Sequence, residues 1–223
     1  MKVRPPKAQP EITVDTVIFT IEEGVLKVLL VRRGGDPYKG QLALPGGFLW
    51  ANETMAQAAV RVLTTKANVK DVFFEQLYTF DNPKRDTRGH VITVAHFALV
   101  PAQRLRSIRL DENVSLVPVK SIKRMPFDHM EILSYADKRL RTKLGYSNVA
   151  YSLLPEAFTL SQLQEVYEVI LGHEVDKRNF RKKIQSLDII ELTGQKQTGR
   201  KHRPARLFRF KKRGYAELEE PLF

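Results

Sequence analysis

The chain contains no cysteine. That excludes disulfide bridges and thiolate metal sites, and it fits a reducing compartment, so the expected location is the cytoplasm. No apolar run approaches the roughly 20 residues that a membrane-spanning helix needs. The N-terminal stretch MKVRPPKAQPE lacks the hydrophobic centre of a secretory signal, and no membrane partner is expected. The five histidines show no metal-ligand spacing, no Ser/His/Asp arrangement is visible, and no segment repeats. Acidic residues are the other shortage. Against 37 Lys and Arg the 223 residues offer only 25 Asp and Glu, a formal charge of +12. Such an excess calls for a polyanionic partner. With 43% hydrophobic residues there is still enough apolar material for one large core or two small ones.

The excess charge is not evenly spread. Residues 176–213 hold 14 Lys and Arg against 3 Asp and Glu, whereas the other 39 residues after position 146 carry 7 acidic and no basic side chains. Residues 12–20 (ITVDTVIFT) and 25–31 (VLKVLLV) are β-branched strand material joined by a turn at 22–24. Further strands are expected at 73–80, 90–100 and 114–117, and a helix at 128–143 with Ile132, Leu133, Ala136 and Leu140 on one side. Strands first, with one helix among them and another at the end, suit an α/β sandwich. Residues 145–155, with Gly, Ser, Asn and Pro, form the best domain boundary. Beyond it, Thr159 and Gln162 have capping-box spacing, Gly172 ends a helix, and Asp176 caps the next, whose buried stripe is Phe180, Ile184 and Leu187. Strands at 189–192 and 206–210 flank a basic polar loop at 193–204. Helix, helix, strand, basic loop, strand is a winged helix-turn-helix layout.

Residues 47–69 read GFLWANETMAQAAVRVLTTKANV. This frame resembles the Nudix box of the Nudix hydrolases, with Gly47, Glu53, Arg61, Leu63 and Val69 in register. The three glutamates that follow the arginine in that motif are replaced by Val62, Thr65 and Lys66, and Asn68 replaces its second glycine. The consequence does not depend on the family. Positions 62, 65 and 66 share one helix face. Three carboxylates there would hold Mg²⁺ or Mn²⁺, which require oxygen ligands. A methyl-bearing side chain, a hydroxyl and an ammonium do not, and Glu53 alone does not hold a catalytic metal. No metal, no cofactor and no catalytic residue is therefore expected. The helix itself is expected over 54–67, with Thr54 and Gln57 in capping-box spacing.

The preceding stretch KGQLALPGGFLWANE (39–53) resembles the approach to a Nudix box, where glycines let backbone amides reach phosphates. The segment FDNPKRDTRGHVITV (80–94) resembles the loop and strand of Nudix proteins that handle ADP-ribose, and more closely that of the Nudix-related transcriptional regulators of NAD metabolism, although Thr87 stands where that group commonly has proline. Arg85 and Arg88 can each grip a phosphate or ribose with a guanidinium fork, and Phe80 can pack on an adenine. The candidate ligand-binding set is Arg33, Lys39, Gly46, Gly47, Glu53, Phe80, Arg85, Arg88 and His90. The candidate DNA-binding set is Lys177, Arg178, Asn179, Arg181 and Lys182 on the second helix, suited to a major groove, with Arg200, Lys201 and Arg203 on the wing, suited to phosphates or a minor groove.

The expected fold is a Nudix α/β/α sandwich at 12–145 followed by a small winged helix-turn-helix at 150–215, with residues 1–11 as a flexible basic arm. The resemblance implies a homodimeric repressor of NAD metabolism genes that binds operator DNA and is released by ADP-ribose or a related nucleotide, held without hydrolysis. Two other classes are compatible with the residues. One is an active ADP-ribose pyrophosphatase with displaced metal ligands drawn from Glu75, Asp111 or Glu112. The other is an RNA-binding protein whose basic region tracks phosphates without sequence choice.

Overall fold

The computed structural model describes residues 8–67, 72–107, 112–197, 204–212 and 214–222. The chain folds as an α/β/α sandwich followed by a small unit of two helices and a two-stranded wing, in the expected order. The sandwich is built on β1 (Glu11–Glu22), β2 (Val25–Arg32), the short β3 (Leu42–Ala43) and β4 (Gly46–Phe48), β5 (Phe73–Phe80), β6 (Val91–Leu99) and β7 (Val114–Pro118). The main sheet runs β3-β2-β1-β6-β5, with β4 paired to β1 and β7 to β2. β1 is central and lies parallel to β6. Residues 13–20 are buried without interruption, as expected for a strand covered on both faces.

The period-2 alternation of β1 assigns those faces. Val14 and Ile18 meet Ala58, Ala59, Val62 and Leu63 of α1 (Met55–Ala67). Val17 and Phe19 meet Ile132, Ala136 and Leu140 of α3 (His129–Tyr146) on the opposite side. The expected capping box before α1 forms: the Thr54 amide donates to Gln57 Oε1 at 2.7 Å, and the Gln57 amide to Thr54 Oγ1 at 3.2 Å. A short helix, α2 (Ala102–Ser107), follows β6 and was not expected from the sequence; it contributes Leu105 to the core beneath α1.

The second unit comprises a 3-10 turn (Val149–Leu153), α4 (Leu160–Leu171), α5 (Lys177–Ser186), β8 (Ile190–Lys196) and β9 (Arg206–Phe210). Thr159 and Gln162 cap α4 reciprocally, and Gly172 closes it in the left-handed conformation at φ 80°. The Asp176 side chain accepts from the Asn179 amide at 2.8 Å to start α5. Phe158 bridges to Phe208, adding a third strand-like rung beside the β8–β9 wing.

The junction differs from a flexible linker. Ser147, Asn148, Val149, Ala150, Leu153 and Leu154 are all buried. They are covered by residues 214–222, which run back from the wing over the end of α3. Asn148 and Ala216 exchange hydrogen bonds, the Leu218 amide donates to Tyr146 O at 2.8 Å, and the Leu222 amide to Gly145 O at 2.7 Å. One apolar cluster consequently extends from Phe97 through Leu144 to Tyr167 and Ile184. At the other terminus, Glu11 already belongs to β1, and residues 1–7 of the expected arm lie outside the described residues.

Candidate ligand cleft and nucleic-acid interface

A cleft of about 280 Å³ opens beside the carboxyl end of β2 and the β3–β4 turn. Its wall combines Asp15 of β1, Arg32 at the end of β2 and Arg33 to Gly35 after it, Gly46 and Gly47 of β4, Lys66 of α1, Arg85, Asp86 and Arg88 from the β5–β6 loop, and Phe127 and His129 at the start of α3. Arg32, Arg33, Lys66, Arg85 and Arg88 outweigh Asp15 and Asp86, so the cleft favours an anion. Gly46 is required by close packing. A Cβ there would lie 2.1 Å from Asp15 Oδ1 and 2.9 Å from Val14 O.

The β5–β6 loop is not a solvated charged loop at this point: Arg85 and Asp86 are buried. Arg85 forks onto Asp128, Nε to Oδ2 and Nη2 to Oδ1 at 2.7 Å each, and reaches Asp15 Oδ2 at 3.3 Å. Burial works against its charge, but the hydrogen bonds and charges of Asp128 and Asp15 prevail and raise its proton affinity. Arg88 grips Asp86 through Nε at 3.0 Å and Nη2 at 2.6 Å. Burial pushes the Asp86 carboxyl up, yet the hydrogen bonds from Arg88 hold it below the usual range. Arg88 also lies over the rings of Phe48 and Phe127, and Arg33 lies 4.7 Å from the Phe127 centroid. His129 Nδ1 accepts from the Leu44 amide at 3.1 Å. Burial drives its pKa below the ordinary value, so the ring is neutral at pH 7.

Of the expected ligand residues, Arg33, Gly46, Gly47, Arg85 and Arg88 come together on this wall, and the other four lie elsewhere. Lys39 is exposed farther along the loop that carries Arg33. Glu53 is taken by Arg61 and by the Trp50 amide, and Arg61 holds its carboxyl below the usual range. Phe80 faces α3 and packs on Tyr78 and Tyr135 in the core. His90 meets Glu11 through its carbonyl at the start of the β1–β6 pairing. The expected ligand set lacks Asp15, Phe127, Asp128 and His129, and it lacks Lys66, which the sequence presents only as the cation that replaces a metal-binding glutamate. Asp15 left a visible signal, a lone carboxylate within a run of β-branched residues. The residues before α3 left none, because only the fold brings them to the cleft.

Glu53 and Arg61 serve as a clamp between loop and helix. Arg61 also donates to Phe48 O at 2.9 Å and stacks 3.8 Å from the Trp50 ring centroid. On the face where the Nudix motif has carboxylates, Val62 is buried against Val14, Ala58 and Ala59. Thr65 Oγ1 donates to Arg61 O at 2.8 Å, and Lys66 borders the cleft.

In the winged helix, Lys177, Arg178, Asn179 and Lys182 are exposed on α5, while Phe180 and Ile184 face the core. Arg181 is partly committed to packing: its Nη2 donates to Ser161 Oγ of α4 at 3.1 Å. Arg200, Lys201 and Arg203 lie outside the described residues.

A cationic cleft in a Nudix sandwich, set against a helix-turn-helix with a basic second helix and a two-stranded wing, defines a two-part protein of Nudix and winged-helix type. Comparison with known proteins agrees. The NUDIX domain family matches residues 10–138, and the NrtR DNA-binding winged helix domain matches residues 150–210. The chain is 37% identical over 212 residues to the ADPR responsive transcriptional repressor NtrR of Acinetobacter baylyi, covering 92% of this chain and 84% of that protein. It superposes on Shewanella oneidensis NrtR complexed with a 27mer DNA with a TM-score of 0.80 and 38% identity, over 90% of this chain and 93% of the other. The Nudix domain of the same Shewanella protein, complexed with ADP ribose, matches with a TM-score of 0.53 and 34% identity, over 60% of this chain and 90% of that one. The ADP-ribose pyrophosphatase of Methanocaldococcus jannaschii is 31% identical over 124 residues, 56% of this chain and 71% of that enzyme. The chain belongs to the Nudix family and, with its winged helix, to the NrtR group within it.

Proposed function

We propose that this protein is a DNA-binding transcriptional repressor of NAD metabolism genes whose Nudix domain binds ADP-ribose, or a related nucleotide, without hydrolysing it. Binding of the nucleotide releases operator DNA. The observation that carries this reading is the cleft itself. Five cationic side chains stand against three carboxylates, Asp15, Asp86 and the Asp128 that grips Arg85, at a glycine-lined loop, and this net positive wall suits a pyrophosphate. ADP-ribose is the ligand named for the Acinetobacter and Shewanella relatives alike. The exposed face of α5 offers Lys177, Arg178, Asn179 and Lys182 to duplex DNA. A homodimer presents two such helices to two half-sites.

The residues present do not fit a divalent metal. Val62 is sealed in the core, the Thr65 hydroxyl is spent on its own helix, and Lys66 sets a positive charge at the cleft. A bound nucleotide is therefore held by arginines and backbone amides and stays intact as a signal.

The likeness to the archaeal pyrophosphatase favours a second reading, hydrolysis with displaced metal ligands. Of the carboxylates available for it, Glu75 is paired with Lys143 at 2.8 Å and with Arg139 at 3.3 Å, Glu112 is exposed in the turn before β7, and Asp111 lies outside the described residues. One experiment separates the readings. The full chain is titrated onto the duplex upstream of its own gene at fixed salt, with and without ADP-ribose, and the nucleotide is then assayed with Mg²⁺ for AMP release. Specific binding weakened by intact ADP-ribose supports the repressor. Magnesium-dependent AMP establishes the enzyme.

A further inference from the structure

Helix α3 has its two ends in two different sites. Its first turn lies in the ligand cleft: Asp128 forks onto Arg85, and His129 accepts from Leu44. Its last turn lies at the junction with the winged helix. Lys143 Nζ there bonds Glu75 of β5 at 2.8 Å and donates to Tyr215 Oη at 2.9 Å, in the strap that returns from the wing. Eighteen residues of helix span about 27 Å between these ends.

Asp128 is also in an unusual position. It occupies the N-cap of α3, where an aspartate normally accepts hydrogen bonds from the first-turn amides, yet it makes no capping bond. Both of its oxygens are drawn off by Arg85. The residue before it, Phe127, is held at φ 54°, a left-handed conformation that a bulky side chain adopts only under constraint. The carboxylate placed to cap α3 is thus spent on Arg85, so that gripping Arg85 and capping α3 are alternative uses of one side chain.

We propose that this choice is the switch between the two domains. An anion entering the cleft takes the Arg85 fork and displaces Asp128, which turns to cap α3 and lets Phe127 relax. The helix then shifts as a unit, and its far end moves the Lys143–Tyr215 anchor of the winged helix. Asp128 is thus a positioning residue: the ligand is read through its loss of Arg85. The inference rests on the ligand-released repressor reading and adds the route of the signal.

The test uses the full chain. Asp128→Asn weakens the hold on Arg85 and still provides a capping oxygen, so it mimics the liganded state. It is expected to bind ADP-ribose about tenfold more tightly by calorimetry, since one charge-assisted competitor is gone. It is also expected to show, without ligand, most of the weakening of DNA binding that ADP-ribose causes in the parent protein, typically 5- to 150-fold for coupled sites. Tyr215→Ala, at the half-exposed far end, is expected to keep ADP-ribose affinity within about twofold while its ligand-induced release of DNA falls to less than about twofold. Hydrogen exchange reads the switch directly. The Glu131 amide already donates to the Asp128 carbonyl at 2.9 Å, so the Met130 amide is the reporter: inorganic pyrophosphate should slow its exchange roughly fivefold in the parent, the usual worth of a cap, and should do nothing further in Asp128→Asn. If ADP-ribose does not bind but pyrophosphate slows this amide, the ligand assignment fails and the switch stands. If either ligand binds and this amide is unchanged, the switch fails. Weaker ADP-ribose binding by Asp128→Asn, or full release by Tyr215→Ala, also overturns it.

Discussion

Gly46→Ala is the sharpest test of how the cleft is built. Gly46 lies opposite Asp15 in the β1–β4 pairing. An added methyl group would meet Asp15 Oδ1 at 2.1 Å, Asp15 Cγ at 3.2 Å and Val14 O at 2.9 Å. The first contact is more than 1 Å inside an ordinary van der Waals separation. Asp15 cannot swing away freely, because it is buried and its other oxygen accepts from Arg85 at 3.3 Å. The Val14 carbonyl belongs to the central strand and moves only with the sheet. Overpacking of this kind costs about 1–3 kcal/mol, and a loosened charged hydrogen bond adds about 1 kcal/mol or more, so the total expected is about 2–4 kcal/mol. For a urea slope of about 2–3 kcal/mol/M the midpoint falls by roughly 1 M. ADP-ribose affinity, measured by calorimetry on the remaining folded protein, is expected to fall at least about tenfold as the loop moves off the cleft. Gly89→Ala is the control: nothing lies within 4 Å of its added carbon, and stability should stay within about 0.5 kcal/mol. Equal midpoints for the two variants would refute the reasoning, since β4 would then be free to yield.

The pH dependence of stability should carry the signature of His129. Burial lowers its folded pKa below the ordinary value, so below about pH 6.5 the unfolded chain binds a proton that the folded chain refuses. Stability is therefore full above that pH and falls on acidification, by up to about 1.4 kcal/mol per pH unit from this group. His129→Asn keeps an acceptor for the Leu44 amide and should flatten urea-derived stability between pH 6.5 and 5 by about one proton; an unchanged slope would place the proton uptake elsewhere. Lys182→Ala, on the exposed face of α5, should weaken duplex binding across sequences and reduce the salt slope by about 1 per half-site, or about 2 for the homodimer, whereas a change confined to one base pair in each half-site would make Lys182 a base reader. Thr159→Ala removes the α4 cap, whose hydroxyl accepts from the Gln162 amide at 3.2 Å. It should lower stability by about 1 kcal/mol in denaturant titration, and no loss would mean that tertiary packing alone holds the helix end.

Much of the architecture is written in local patterns. Residues 12–20 and 25–31 declare a hairpin because β-branched side chains alternate across a turn, and β1 and β2 form where expected. Both capping boxes, Thr54 with Gln57 and Thr159 with Gln162, close as their three-residue spacing implies. The replacement of three carboxylates by Val62, Thr65 and Lys66 needs no coordinates, since i, i+3, i+4 spacing places them on one helix face. The basic face of α5 is legible for the same reason: Phe180 and Ile184 mark the inner side, so Arg178 and Lys182 lie outside.

Features that depend on neighbours a few residues apart were thus legible in the chain alone, namely the long strands, the helix faces, the two capping boxes and the class of ligand a cationic glycine loop invites, although the short α2 left no such signal. The tertiary structure alone decided which of those charges meet. Arg85 and Asp128 are 43 residues apart and Asp15 is 70 from Arg85, and no local rule pairs a strand, a loop and a helix start. It likewise decided that Phe80 belongs to the core beside Tyr135 rather than to the cleft, and that residues 214–222 return to seal the junction. The physical reason is common to all three. Side-chain partners across a sheet are set by strand order and register, and these emerge only when the whole core is packed.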